Sequence, residues 1–364
     1  MGGSSGSCTY QSLREQIDQL FFNGSVLNNN LEGMMIVEAN QMRGWAHEEV
    51  IHSLAKALNN HYVFPDVAEE MGNYLEHKLV GKEYEAIKNA EAFCEQVTYD
   101  LREISKDKHL KLRYTEQEKS VDMKISEKEQ REEYLLHAKL DNYGFHRIER
   151  LAGNIGYIHL RGFHDPEFAG EAAVNAMNLV ANTDALIFDL RNNGGGSPSM
   201  VAFITSYLFD SEPFHLNSFY SRANDVISQS WTLSYVPGKR YGTKPVYVLT
   251  SHRTFSAAEE FTYNLKNLKR ATIIGEVTAG GANPGAVHQL TKHFGIFIPD
   301  GRAINPVTQT NWEGIGVTPD VETTQHEAYE TAYKLALKHV ISLYQDRNEY
   351  GFIVKEAENQ LKQL

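Results

Sequence analysis

The chain has little cysteine, a deficit of basic residues and no long apolar run. Its 364 residues include two cysteines, Cys8 and Cys94, which are too few for a disulfide framework or a cysteine-ligated zinc site. Acidic residues number 47 and basic residues 35, a net charge of −12 that argues against a nucleic-acid partner. No apolar run approaches the about 18 residues of a membrane-spanning helix, so no transmembrane segment is predicted.

The first seven residues, MGGSSGS, are typical of an expression scar, and residues 1–7 are predicted to be one. The order of basic and then apolar residues that marks a signal peptide does not follow them. Elsewhere 41% of the residues are hydrophobic and 23% are charged, which is the composition of a globular protein with a sizeable core.

Apolar residues recur at helical spacing through residues 12–115, which predicts a helical N-terminal domain that serves packing. Pro65 separates two of its helices, and Asp66 is predicted to cap the second. Residues 116–150 are rich in Lys and Glu in their first half and are predicted to form a charged linker or excursion.

Short apolar runs then alternate with helical patterns, which predicts an α/β core over residues 151–345. Residues 346–364 are predicted to form a C-terminal tail. The predicted strands are 155–160, 185–190, 246–250, 272–274 and 296–298, and the predicted helices are 171–182, 199–208, 257–268 and 326–344.

A glycine-rich turn follows the strand in ALIFDLRNNGGGSPS, residues 185–199. Glycines there allow the backbone to approach a ligand closely, with N–H groups facing an anion or an oxyanion. A plain glycine-rich turn is an equally good interpretation. The segment has neither G-x-G-x-x-G spacing nor a following Gly-Lys-Ser/Thr, which argues against nucleotide binding.

Ser256 lies where an apolar strand gives way to a helix that begins near Ala257. A serine at that point suits a nucleophile, because the Ala257 N–H and the helix dipole favour negative charge beside it. The alternative is an N-cap completed by Glu259 as a capping box. Thr254 and Ala258 replace the glycines of a G-x-S-x-G elbow, which argues against an α/β-hydrolase.

A serine nucleophile needs a base within hydrogen-bond reach, and the 15 histidines alone do not identify one. His252 is in the same turn as Ser256, but nearness in sequence decides little. Glu313, taken alone, is typical of a solvated carboxylate. His47 and His52 are five apart rather than four, so neither a zinc site nor any cofactor is predicted.

Four ordered segments, with DKHLKLRY at 107–114, resemble the tail-specific (C-terminal processing) serine peptidases, peptidase family S41. Within that family the sequence is most similar to the branch of the interphotoreceptor retinoid-binding protein module. The resemblance covers about Met34 to Val321. The four segments are DLRNNGGGSP at 189–198, SHRTFSAAEEF at 251–261, GEVTAGGANPG at 275–285 and WEGIGVTPDV at 312–321.

The resemblance implies a crotonase/ClpP-like core, a spiral of β-β-α units, behind a helical N-terminal domain. It implies that Ser256 is the nucleophile. It further implies that the backbone N–H groups of Gly194 or Gly195, together with that of Ala257, form the oxyanion hole. Members of the family are often exported, so a periplasmic or extracellular location is expected.

The sequence departs from the better-known processing peptidases in its base. Their lysine, about 25 residues after the serine, falls here on Gly281, so the Ser/Lys pair is absent. The tricorn-like branch uses a histidine and a late glutamate instead, and His109 and Glu313 match their positions. Lys108 stands where that branch has a relay serine, and it could pair with Glu313 or raise the local positive charge.

Only about 40 residues separate Arg113 from Gly153, too few for a PDZ domain, so none is predicted. The expected function is a serine endopeptidase acting on unstructured or C-terminal polypeptide segments. The alternative, motivated by Lys108 and the missing Ser/Lys pair, is a non-catalytic module for an apolar ligand such as a retinoid or fatty acid. An acyl-CoA enzyme on the related crotonase core is less favoured, because such enzymes need no serine on this turn.

Overall fold

The computed structural model describes residues 47–119 and 123–364, so the predicted scar, Cys8 and the start of the predicted N-terminal domain lie outside it. Among the described residues no helix is long and apolar enough to cross a bilayer. The helices are α1 (His47–His61), α2 (Pro65–Val80), α3 (Ala90–Ser105), α4 (Met123–Leu140), α5 (Pro166–Val180), α6 (Pro198–Ser206), α7 (Ala257–Asn267), α8 (Ala328–Tyr344) and α9 (Gly351–Leu361).

The strands form one large sheet and two small ones. The strands are β1 (Lys111–Tyr114), β2 (Phe145–Leu151), β3 (Ile155–Leu160), β4 (Ala185–Asp189), β5 (His215–Ser221), β6 (Val226–Trp231), β7 (Val246–Thr250), β8 (Thr272–Gly275), β9 (Gly285–Gln289), β10 (Phe294–Pro299), β11 (Gly301–Ile304) and β12 (Val321–Glu322). The large sheet has the order β12-β8-β7-β4-β3-β2, and the small ones have the orders β1-β10-β9 and β11-β5-β6.

Helices α1 to α3 pack their apolar stripes against each other and against β1 and β10, with Phe294 and Ile296 in the shared core. Cys94 is buried within this group. Helix α2 begins with Pro65 at its first position and Phe64 as the preceding cap residue. Asp66 therefore lies in the first turn and does not cap the helix, which corrects the prediction.

The large sheet is parallel from β3 through β4, β7, β8 and β12, with β2 antiparallel at one edge. Every residue of β4 and of β7 is buried, because α5, α6 and α7 cover one face of the sheet and α8 and α9 cover the other. The predicted alternation of strands and helices, and with it the α/β class, is confirmed.

The carboxyl ends of β4 and β7 lie side by side, with Asp189 opposite Leu249 in the parallel register. Loops that follow neighbouring parallel strands emerge at the same edge of a sheet. The glycine-rich turn after β4 is thereby brought against the loop between β7 and α7, which contains Ser256.

Residues 116–150, predicted as a charged linker, contain helix α4 and most of strand β2. Lys and Glu are good helix formers, and pairs one turn apart, such as Lys128 and Glu132 at 3.8 Å, add support. A helix of this composition needs no broad apolar stripe, which is why the apolar pattern did not reveal it.

Residues 346–364, predicted as a tail, contain helix α9. Ile353 and Ala357 lie one turn apart on its buried side and join the core formed by α8 and the large sheet. The segment is therefore part of the packed body, and the tail prediction is corrected. Two buried residues in eleven are too weak a pattern to identify such a helix from sequence.

Candidate active site

The glycine-rich turn is held by the side chain of Asn193, which is fully buried. Its amide donates to the carbonyl of Leu160 at the end of β3, and its oxygen accepts the N–H of Gly195 at 2.8 Å. Its backbone carbonyl accepts the N–H of Phe255 at 3.1 Å. Asn193 thus fixes the turn against the loop that leads to Ser256.

Asp189, at the end of β4 beside this turn, is neutralised by a neighbouring arginine. Arg191 makes two contacts with the buried carboxylate of Asp189, at 2.9 and 2.6 Å, and Tyr157 donates to the same carboxylate. The guanidinium lowers the pKa of Asp189 against the opposing effect of burial. This ion pair holds the end of β4 in place. Because Arg191 compensates the negative charge of Asp189, we assign Asp189 no role in catalysis.

Gly195 lies directly against Ser256 with a φ of +104°. A Cβ atom at position 195 would lie 2.7 Å from the Ser256 Cβ and 3.0 Å from the Ala257 nitrogen. Gly194 is exposed, and a Cβ there would meet nothing within 4 Å. The absence of a side chain at Gly195 therefore keeps open the space beside Ser256 and the Ala257 N–H.

The three predicted oxyanion donors are not equivalent. The Gly195 N–H already donates to Asn193, whereas among the described residues the N–H groups of Gly194 and Ala257 have no acceptor within the chain. A substrate oxygen could therefore be bound by Ala257 and Gly194 without breaking an existing hydrogen bond. The sequence could not distinguish these glycines, because the bond from Gly195 to Asn193 depends on the local turn.

Ser256 has φ +55° and ψ −122°, a conformation that residues with a Cβ rarely adopt. Helix α7 begins at the next residue, and the Ser256 N–H donates to the Glu259 carboxylate at 2.9 Å. A residue held in such a backbone conformation lowers the stability of the fold by about 1–3 kcal/mol, and this kind of strain is common at functional sites. The N-cap and nucleophile interpretations of Ser256 are thus compatible.

We expect Ser256→Gly to raise the free energy of unfolding by about 1 kcal/mol, because glycine adopts a positive φ without steric strain. Chemical denaturation of the variant and the wild type measures the difference. A variant less stable than the wild type would show that the Ser256 side chain contributes packing or hydrogen bonds that outweigh its backbone strain.

Glu259 ties the Ser256 loop to the loop at 276–285 and is fully buried. Besides the N–H of Ser256, its carboxylate accepts the N–H groups of Gly280 and Gly281 and the hydroxyl of Thr278. Burial raises the pKa of Glu259, although these four donors favour its ionised form. Its role is to position the loops.

His109 packs between two phenylalanines, with ring centroids 4.5 Å from Phe255 and 5.6 Å from Phe297. Its Nδ1 atom is buried without a hydrogen-bond partner. A Cβ at Gly281 would lie 2.8 Å from the Cε1 atom of His109 and 2.2 Å from the Phe255 ring. The position that lacks the family's lysine therefore lies against His109 and has no space for a side chain.

Glu313 lies near this histidine, held by the loop at 276–285. One carboxylate oxygen accepts the N–H groups of Ala282 and Asn283 at 2.5 and 3.1 Å, and the other is buried without a partner. Burial, followed by repulsion from Asp107, raises the pKa of Glu313 to about 8. Glu313 is therefore not the solvated carboxylate that its sequence context alone indicates.

Asp107 belongs to the same cluster, although the sequence did not identify it as a site residue. Its buried carboxylate accepts the backbone N–H of His109 at 3.0 Å, the Tyr62 hydroxyl at 3.3 Å and the Asn283 side-chain amide at 3.2 Å. One of its oxygens is 3.6 Å from Nδ1 of His109. The only sequence signal was its place two residues before the histidine.

Two further candidate residues, Lys108 and His252, form their contacts outside the cluster of Asp107, His109 and Glu313. The Lys108 ammonium donates to the carbonyl of Ala279 and does not pair with Glu313, which corrects one of its two predicted roles. The side chain of His252 is 62% exposed and contacts Glu276 at 3.0 Å. The His109 ring, in contrast, contacts Phe255, the residue before Ser256, which favours His109 over His252 as the base.

The same cluster offers donor atoms for a metal ion, because one such atom from each of Asp107, His109 and Glu313 lies within 4.8 Å of the others. The buried side-chain atoms of this cluster without a hydrogen-bond partner, however, are only Nδ1 of His109 and one oxygen of Glu313. Protein metal sites such as those of zinc use three or four ligands. Two unpartnered atoms are too few for such a metal site, but they are enough for a hydrogen bond between the imidazole of His109 and the carboxylate of Glu313.

Two family models match the chain: peptidase family S41 over residues 154–323, and the N-terminal domain of peptidase S41 in eukaryotic IRBP over residues 44–143. Together they cover about three quarters of the 364 residues. The chain belongs to peptidase family S41, a family of hydrolases that includes C-terminal processing proteases.

Among curated relatives, a carboxy-terminal-processing protease of Bartonella bacilliformis is 28% identical over 180 residues, or 48% of this chain and 40% of the relative. The chain thus spans less than half the length of the curated relatives it matches. Among solved structures, a lipoprotein from Streptococcus agalactiae has a TM-score of 0.53 at 15% identity, covering 82% of this chain and 98% of that one.

The tricorn protease has a TM-score of 0.51 at 16% identity, covering 82% of this chain and 37% of that one. These likenesses and the family assignment confirm the predicted crotonase/ClpP-like α/β fold class. Apart from the linker and the tail corrected above, the predicted domain boundaries stay predictions, as do the absence of a PDZ domain and the exported location.

Proposed function

We propose that this chain is a serine endopeptidase in which Ser256 is the nucleophile and His109 is the general base. The observation that carries the proposal is the pair of buried, unpartnered atoms on His109 and Glu313, beside the strained serine loop. Unpaired buried polar atoms are rare in folded proteins and are often found where a hydrogen bond forms during function. The substrate is an unstructured or C-terminal polypeptide segment.

In the proposed reaction the Ser256 Oγ attacks a peptide carbonyl while its proton passes to the Nε2 atom of His109. The N–H groups of Ala257 and Gly194 bind the resulting oxyanion, each worth about 3 kcal/mol. His109 then gives the proton to the leaving amine, and water releases the acyl group by the same steps in reverse order. Catalytic hydrogen bonds are often formed only with substrate present, which is consistent with a His109 that here contacts Phe255.

Glu313 and Asp107 would act on His109 rather than on substrate. A carboxylate that accepts the Nδ1 proton fixes the tautomer in which the opposite nitrogen can take the serine proton. Asp107 holds the backbone of the histidine and lies 3.6 Å from Nδ1. Both are positioning residues in this scheme.

The raised pKa of Glu313 gives a prediction for pH dependence. A protonated Glu313 would donate to Nδ1 of His109 and impose the wrong tautomer, so the active form contains the carboxylate. With a pKa of about 8, kcat/KM should rise with pH, by roughly a hundredfold between pH 6 and pH 9. Besides burial, the carboxylates of Asp107 and Glu259 raise this pKa, and the backbone N–H groups of Ala282 and Asn283 oppose them.

Steady-state kinetics on a peptide without ionisable side chains would measure the profile, with Glu313→Gln as the comparison. The variant should be far less active and should lose the ionisation near pH 8. A wild-type profile that is flat from pH 6 to pH 9 would contradict the assigned role of Glu313.

The reaction type can be tested by digesting an unfolded protein such as reduced casein in ¹⁸O-labelled water. Hydrolysis of a peptide bond places at least one ¹⁸O atom in each new C-terminal carboxyl group, which mass spectrometry detects. Fragments without the label, or intact substrate after prolonged incubation with folded protein, would contradict the proposal. Cut sites mapped in the same experiment give the preference around the scissile bond.

The apolar-ligand alternative is not favoured. Its main support was Lys108, and this side chain donates to the backbone carbonyl of Ala279 and forms no ion pair with Glu313. The cleft beside His109 also has many cationic side chains, which suits an uncharged retinoid poorly.

A further inference from the structure

A cleft of about 860 Å³ opens beside the candidate active site. Its floor is the outward face of the sheet β1-β10-β9, and helix α4 contributes one wall through Tyr134 and His137. His109 and Phe255 line its inner end, and Phe255 is the residue before Ser256. A polypeptide bound at Ser256 would therefore extend naturally into this cleft.

The cleft is strongly cationic in a protein that is acidic overall. Among the described residues that line it, Glu133 is the single acidic one, although Asp and Glu outnumber Lys and Arg by 47 to 35 in the whole chain. Lysines and arginines that line it are Arg102, Lys108, Lys111, Arg113 and Lys119.

Most of this charge is not neutralised by carboxylates. Lys119 is 3.9 Å from Glu133, and Lys108 and Arg102 donate to backbone carbonyl groups, which carry no net charge. Lys111 and Arg113 form no ion pair with any residue in the described ranges 47–119 and 123–364.

Lys111 and Arg113 alternate with the buried Leu112 along β1, so both face the cleft. They stand opposite Phe297 and Gly295 of β10. Partial burial, and then repulsion from Arg113 and Arg102, lowers the pKa of Lys111. Like charges held together, with no ion pair to either side chain among the described residues, favour an anionic ligand.

We propose that this cleft binds an acidic stretch of the substrate polypeptide, so that the peptidase prefers substrates with alternating Asp or Glu residues near the scissile bond. Alternate side chains of an extended strand are about 6.8 Å apart, the same spacing as Lys111 and Arg113 on β1. A fatty acid has one carboxylate and would neutralise only one of the five cations. The inference rests on the proposed peptidase function, since it identifies the substrate of that site.

Binding is measured by fluorescence anisotropy on the Ser256→Ala variant, which removes turnover. The probes are two labelled twelve-residue peptides, one alternating Glu with Ser and the other alternating Gln with Ser, at 50 and 300 mM NaCl. The Glu peptide should bind at least about tenfold tighter at low salt, and the advantage should shrink at high salt.

The double substitution Lys111→Glu with Arg113→Glu, in the same background, should abolish the preference for the Glu peptide. The matched control is Lys338→Glu with Lys355→Glu, which changes the net charge equally at two exposed positions in α8 and α9. The control should keep the preference. Circular dichroism and thermal melting confirm that both double variants are folded.

The outcomes separate the two proposals. Equal binding of both peptides while the wild type cleaves casein would overturn the acidic-substrate inference and leave the peptidase function standing. Selective binding of the Glu peptide without hydrolysis of any substrate would support the cleft and contradict the peptidase function. Tight binding of dodecanoate, with neither peptide bound, would overturn the inference in favour of a fatty-acid site.

Discussion

Replacing Ser256 by alanine is expected to lower kcat/KM by at least about 10⁴-fold, because no other group in the proposed site can form the acyl-enzyme. The fold should be retained. The backbone N–H of residue 256 still donates to Glu259, and alanine carries the same Cβ in the same backbone conformation, so the stability should change by less than about 1 kcal/mol.

Kinetics and chemical denaturation of the same preparation test both parts of this expectation. Ser199→Ala is the matched control, since Ser199 is an exposed serine in α6, close in sequence to the glycine-rich turn. It should keep wild-type activity. A Ser256→Ala variant that retains more than about a tenth of the activity would show that another residue performs the nucleophilic step.

The second large effect is expected for Gly195→Ala. The added methyl group would lie 2.7 Å from the Ser256 Cβ and 2.9 Å from the Phe255 carbonyl oxygen, at a φ that alanine disfavours. Movement of the serine and of the Ala257 N–H should cost about 10²–10³-fold in kcat/KM, mostly through kcat. The unfolding free energy should fall by about 1–3 kcal/mol.

Two other glycine substitutions serve as comparisons for Gly195→Ala. Gly194→Ala meets open space and keeps its N–H, so its loss in kcat/KM should be under about fivefold. Gly170→Ala in helix α5 should leave activity unchanged and raise stability by about 0.5–1 kcal/mol. Equal losses for Gly194→Ala and Gly195→Ala would contradict the assigned geometry of the turn.

Much of the fold was predictable because its core strands are short, continuous apolar runs between turn residues. The β4 and β7 strands were predicted almost to the residue, and helix α7 was predicted to begin at Ala257, as the structure has it. The pairing of β4 with β7 follows from parallel α/β packing, and it brings the glycine-rich turn to Ser256.

The residues around His109 were less predictable, because their environment is created by distant parts of the chain. Asp107 is buried by contacts with Tyr62 and Asn283, which are 45 and 176 residues away in sequence. The raised pKa of Glu313 has the same origin, since it depends on burial and on Asp107. Local sequence around either acid indicates only a solvated carboxylate.

Helices α4 and α9 were also not predicted. Helix α4 depends on the helix propensity of its charged residues, and α9 buries only two side chains, so neither has a clear apolar pattern. The same holds for Lys108, whose position in the family pattern indicated a possible pair with Glu313. Its flexible side chain instead reaches the carbonyl of Ala279. Sequence position alone does not fix where a long side chain ends.

The central claim, that Ser256 is an activated nucleophile, is tested most directly by covalent labelling. The folded wild type is incubated with a fluorophosphonate, which reacts with activated serines, and the modified peptide is identified by mass spectrometry. A single adduct on Ser256 is expected, and it should form much more slowly in His109→Ala. An adduct on another serine, such as Ser251, or no adduct on protein that hydrolyses casein, would contradict it.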